Sequence, residues 1–162
     1  MKKRTTMIAL LLGLCVGPLV AADADPADVE FPQGYRDWKH VKSMVINPGH
    51  PLYEAVGGIH SIYGNPEAVA GYQSGKKFPD GSVIVFDLFQ AVDQDNAIAE
   101  GERKAVIVME KRGGKFTTTD GWGYQVFDAS GNATLDAKAA TECHACHTQM
   151  KQEDFVFSAW RD

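Results

Sequence analysis

Two cysteines, Cys143 and Cys146, stand three apart, and His147 follows at once. A disulfide between them would close so small a loop that it would hardly restrain the unfolded chain. The pair therefore needs another purpose. Cys143-His144-Ala145-Cys146-His147 fits the C-x-x-C-H pattern of covalent haem attachment. On one helical turn, two thiols can reach the two vinyl groups along one porphyrin edge, and the adjacent imidazole swings beneath the iron. Two rival uses of the pair fit less well. A redox dithiol sits at a helix start after a strand in a βαβ unit, a context absent here. A zinc cage needs a second pair of ligands, and His144 and His147 lie inside the same short motif.

The start of the chain adds a cellular context. Lys2, Lys3 and Arg4 precede an apolar run from Met7 to Val20, and Val20-Ala21-Ala22 offers small residues for cleavage. Residues 1–22 therefore read as a signal peptide, which predicts export to the periplasm and no membrane attachment after cleavage. The third cysteine, Cys15, leaves with this segment. The preceding Leu14 does not suit lipid attachment at Cys15. Without Lys2, Lys3 and Arg4 the 16 basic residues become 13 against 21 acidic ones, a net charge of 13 − 21 = −8. Such a surface argues against nucleic acid and anionic membranes as partners, and for basic redox partners if there are any.

Residues 23–34 are acidic and contain proline, and read as an extended, loosely ordered lead-in to a single domain over 35–162. Tyr35, Trp38, Val41 and Val45 recur at helical spacing and predict an amphipathic helix over 35–45. Ile59 to Tyr63 reads as a short strand. Asn65-Pro66-Glu67 offers an N-cap, a first-turn proline and a dipole-favouring acid for a helix to about Tyr72. Alternating apolar residues predict strands over Ser82–Phe89, Ala105–Met109 and Trp122–Phe127, with the polar residues 90–103 as a loop. Asp136 to Met150 is Ala-rich and predicts the helix that carries the cysteines. The expected class is α+β, mainly β: an antiparallel sheet with a few packed helices and a C-terminal haem-bearing helix.

The sixth position on the iron is then in question. Met150 lies one turn beyond His147, on the same side. Met44 and Met109 could reach, but methionine is a common filler of core gaps. An open distal face is expected. Open-faced c-type haems also occur in four-helix bundles, which the predicted strands exclude here.

The order of motifs resembles the cytochrome P-460 / cytochrome c′-β family. The features are Tyr35-Arg36-Asp37-Trp38, Tyr63 with Asn65-Pro66-Glu67, Phe78-Pro79-Asp80-Gly81-Ser82-Val83, Gly121-Trp122-Gly123-Tyr124, and Asp154-Phe155-Val156-Phe157 after the haem motif. The resemblance implies a periplasmic, mainly β, often dimeric protein with one haem c per chain packed on a large sheet. It also implies two chemistries. Members that oxidise hydroxylamine cross-link a lysine to the porphyrin and use a distal acid. Counting from Gly81, that lysine position corresponds to Phe86, and Lys76 and Lys77 lie on another element. Near Val106 to Val108 there is no acid, and Glu110 is out of phase. Both departures point to the c′-β branch, which binds nitric oxide and carbon monoxide in an apolar pocket.

Phe86 suits that reading, since an aromatic wall excludes water yet admits weakly polar diatomics. The same pattern also suits an ordinary core aromatic. Ile84 and Leu88 share its face. His60 falls where the oxidising members carry a basic residue, and could donate to a bound ligand or ligate the iron; by the sequence alone, a surface or loop histidine on a short strand is the favoured reading. His144, at a variable position of the motif, is expected to face solvent. Cys143, Cys146, Phe86 and His60 are thus the expected cofactor-binding residues, with His147 as metal ligand. The leading expectation is gas binding. Oxidation of hydroxylamine or nitric oxide, with electrons passed to a partner cytochrome, is the second, and six-coordinate electron transfer the third.

Overall fold

The computed structural model describes residues 24–75 and 77–161. The expected signal peptide and Lys76 lie outside these residues. Five strands pair antiparallel in chain order: β1 (Lys39–Ile46), β2 (Gly58–Gly64), β3 (Val83–Gln94), β4 (Ala97–Lys111) and β5 (Trp122–Phe127). Three helices accompany them, α1 (Tyr53–Val56), α2 (Pro66–Ser74) and α3 (Ala137–His147). The class is α+β, mainly β, and the chain has a C-terminal helix.

Alternation along the strands divides the sheet into two faces. On the first, Val41, Ile62, Ile84, Met109, Trp122 and Tyr124 pack with Ala68 and Tyr72 of α2, Ala140 of α3 and the tail residues Phe155 and Val156. On the second, Val85, Val106, Val108 and Phe127 pack under Val29, Tyr35 and Phe116. Asn65 caps α2 as expected. Its Oδ1 accepts from the amides of Ala68 and Val83, both at 2.9 Å, which ties the helix start to β3.

Two segments differ from the sequence reading. The helix expected over 35–45 is instead a 3-10 turn, Tyr35–Asp37, followed by β1. Val41, Val45 and Ile46 are β-branched, and β2 pairs with every residue of Lys39–Ile46 except Val41, where β1 bulges. Pairing with a neighbour outweighs a three-residue periodicity that isolated helices of this length could barely support. The polar stretch 90–103 is not a loop. β3 and β4 continue through it as a ribbon, from Ala91↔Glu100 to Gln94↔Ala97. Asp95 and Asn96 both have positive φ (48° and 68°), the geometry of a two-residue hairpin turn. Both faces of this ribbon are largely exposed, so polar side chains suit it and the apolar signal is lost.

The lead-in is held more firmly than its composition suggests. Ala27 and Val29 are buried, and the carbonyl of Pro26 accepts from the amide of Tyr124 at 2.8 Å. The 35–37 turn is pinned to the second face by Asp87 of β3. Arg36 donates to this buried carboxylate at 2.8 Å, and Arg103 lies 3.2 Å away.

Candidate functional site

α3 lies on the first face, beside β5. Asp136 opens it, accepting from the amide of Ala139 at 2.8 Å. Its last turn carries all three residues of the expected attachment site. The thiols are free; Cys143 is half-buried and Cys146 exposed. Burial raises the Cys143 pKa, with Cys146 and Glu142 adding to the effect. The Cys143 thiol is therefore held in its protonated form, the form that adds across a vinyl group to make a thioether.

His147 is held by a single strong contact. Its Nδ1–H donates to the carbonyl of Phe155 at 2.7 Å, while Tyr124 and Phe157 flank the ring. Burial lowers the pKa of this imidazole, partly opposed by the Phe155 hydrogen bond. The ring is thus neutral, with its tautomer set and a lone pair left on Nε2. That is the state in which histidine ligates a metal, and the carbonyl on the far nitrogen raises its basicity. Among the described residues, no three His, Cys, Asp or Glu side chains stand together as a cage.

The carbonyl of Phe155 reaches His147 because the chain doubles back after α3. Residues Thr148–Glu153 form a 3-10 turn, and Asp154 and Phe155 then adopt positive φ, 49° and 67°. The expected continuous helix to Met150 ends at His147 for this reason.

His144 does not face solvent. It is 8% exposed, with Tyr124 Oη 3.1 Å from Nδ1 and Asp120 Oδ2 3.0 Å from Nε2. Ala140, His144 and His147 follow an i, i+4, i+7 spacing that faces them all toward the sheet. That spacing was the available signal, and the motif's variable position masked it.

The first face of the sheet carries the other candidates. Register places Lys42, Ile62, Phe86, Ile107 and Val126 side by side across all five strands on the first face. Phe86, Ile107 and Val126 are only half-buried, although Phe86 and Ile107 lie on interior strands of the sheet. A flat apolar group lodged there would remove this surface from water. In the next row stand Met44, His60, Leu88 and Ala105. His60 is 1% exposed and stacks on Phe86, with ring centroids 3.9 Å apart and planes 17° from parallel. Its Nδ1 has no hydrogen-bond partner. The surface-histidine reading fails; Phe86 and His60 form one unit on the first face. The fit to a haem is good: two thiols, a poised imidazole, an uncovered apolar strip and an orphaned polar atom.

The remaining candidates fall elsewhere. Glu110 pairs with Val83 on the second face and is bound by Arg112 at 2.6 Å, so it is out of phase as expected. Met109 is buried in the row of Ile84 and Tyr124, and Met44 is exposed on the edge strand. Lys77 is exposed before the turn. Lys42 was missed in the sequence. Strand register alone brings it to the row of Phe86, two strands away.

Burial, with a smaller contribution from the charge of Lys42, pushes the pKa of His60 down to about 4. The unfolded chain takes up that proton near pH 6.5, whereas the folded one resists it until about 4. Stability from this residue is therefore complete above pH 6.5 and lost as pH falls toward 4. Denaturant titrations should show about 3 kcal/mol of pH-dependent loss across that window, absent in His60→Leu. An identical pH profile for the two proteins would remove His60 from the buried face.

A family model described as Cytochrome P460 matches residues 32–158. No curated protein matches the chain. Among the described residues, no helix is long and apolar enough to cross a membrane.

Proposed function

Since the chain belongs to the cytochrome P460 family, a family of haem proteins, we propose that it is an exported c-type haem protein that binds nitric oxide, carbon monoxide and similar small ligands. Cys143 and Cys146 would hold the porphyrin through thioethers, and His147 would ligate the iron through Nε2. When bound, the haem supplies a ferrous or ferric centre that coordinates a diatomic ligand. Phe86, Ile107 and Val126 exclude water from the pocket, because water finds no hydrogen-bond partners among them. The observation that carries this reading is the aromatic Phe86 at the centre of the strip. No amine stands at that position to cross-link the ring.

Spectra of the ferric and ferrous protein, with and without nitric oxide, test the proposal. A five-coordinate ferrous spectrum that changes on adding the gas supports it. A low-spin six-coordinate spectrum that ignores the gas overturns it. Phe86→Lys is expected to change the association rate for carbon monoxide at least tenfold while moving the unfolding free energy by less than about 1 kcal/mol, since half-buried positions tolerate long side chains. Unchanged rates would show that Phe86 does not border the ligand.

One observation favours a second, oxidative reading. His60 is a buried imidazole beside Phe86 whose Nδ1 has no partner, and that nitrogen would be the proton acceptor for hydroxylamine or nitric oxide chemistry. Electrons would then leave to a partner cytochrome. Mass spectrometry of the haem peptide separates the readings, because a porphyrin bond beyond two thioethers favours the oxidative one. Cleavage after Ala22, release into the periplasm and a homodimeric state complete the proposal. They rest on the leader composition and on the family.

A further inference from the structure

Lys111, at the end of β4, is a buried lysine behind the histidine helix. Its side chain is 10% exposed, and its ammonium lies 3.1 Å from Asp154 Oδ1, itself in a side chain only 5% exposed. The same nitrogen donates to the main-chain carbonyl of Asp120 at 3.1 Å and sits 5.0 Å above the ring of Trp122. A buried ion pair adds little net stability, because desolvation offsets the attraction and an apolar pair would serve as well. Its worth lies in what it holds in place.

Each acceptor of Lys111 leads to a histidine of α3. Asp154 also takes the amide of Phe78 on Oδ2 at 2.9 Å, and so is fastened on both oxygens. The next residue is Phe155, whose carbonyl receives the Nδ1–H of His147. Both residues are in the left-handed region, which L side chains occupy only when held there. Asp120, also left-handed, accepts from His144 through its side chain. One cation thus stands behind both arms that orient the helix.

We propose that Lys111 is a positioning residue for the axial histidine. By holding Asp154 it sets the Phe155 carbonyl against His147 Nδ1, and so sets how strongly Nε2 donates to the iron. The proposal rests on His147 being the iron ligand. A firm hydrogen bond at Nδ1 gives the imidazole partial anionic character and strengthens its bond to the metal. Loosening it weakens that bond and favours the reduced iron.

The test uses the haem-loaded protein in four forms: wild type, Lys111→Met, Lys111→Arg and Asp154→Asn. The readouts are the iron–imidazole stretching band of the ferrous protein and the reduction potential, with the thermal midpoint measured alongside. Lys111→Met and Asp154→Asn should lower the band frequency and raise the potential, and Lys111→Arg should restore both. Should Lys111→Met fail to fold, Asp154→Asn is judged by the same two readouts. Variants that lose thermal stability but keep the wild-type band and potential would overturn the proposal, leaving a purely structural pair. A wild-type protein with no iron–imidazole band would instead overturn the axial assignment beneath it.

Discussion

Changing Cys143 and Cys146 together to alanine is expected to abolish haem retention under denaturing extraction. Wild-type protein, made in a host competent in cytochrome maturation, should keep its colour through acid and organic solvent, because a thioether does not dissociate. The double variant should lose essentially all of it. His147→Ala makes the complementary measurement. Attachment through sulfur should survive while the ferrous spectrum loses its axial imidazole, separating attachment from ligation. The geometry supports this division of labour. The thiols lie on the half-buried and exposed sides of the last turn of α3, and His147 is held separately by Phe155. Haem that stays bound through denaturation without either cysteine would overturn the c-type assignment.

Trp122→Ala is expected to produce the largest loss of stability. The indole is fully buried at the start of β5, packed edge-on against Phe78 at 5.7 Å and beneath the ammonium of Lys111. Truncating a buried tryptophan costs about 3–5 kcal/mol in transfer and cavity terms. In a domain of this size that corresponds to a fall of roughly 10–15 °C in the thermal midpoint. Trp122→Phe should cost only about 1–2 kcal/mol, because the indole nitrogen has no partner to lose. Equal effects of the two substitutions would show that ring volume is not what the site requires. The hold on Asp154 should also loosen, since the Lys111 ammonium lies over the Trp122 ring.

Much of the sheet was legible because its core strands bury apolar side chains at period two. Ile84, Phe86 and Leu88 announce β3, and Trp122, Tyr124 and Val126 announce β5. Where no such burial occurs, the signal fails. The ribbon beyond Phe89 is solvated on both faces, so its polar residues read as a loop although they are paired. β1 is an edge strand buried only at Val41 and Ile46, without alternation, and its spacing imitates a helix. In both cases the decisive hydrogen bonds go to another strand, which a local pattern cannot register.

The proposed attachment site is different in kind. Cys143, Cys146 and His147 follow from spacing alone, since one turn of helix brings them together wherever the helix goes. So does the Asn65 cap, which works over three residues. The pairing of His60 with Phe86, the burial of His144 and the hold of Lys111 on Asp154 join residues 26, 20 or 24, and 43 positions apart. No short-range rule connects them. Chain-local chemistry was therefore written in the residues themselves. Which side chains meet across the sheet, and which lose water when they do, was decided only when the strands found their register.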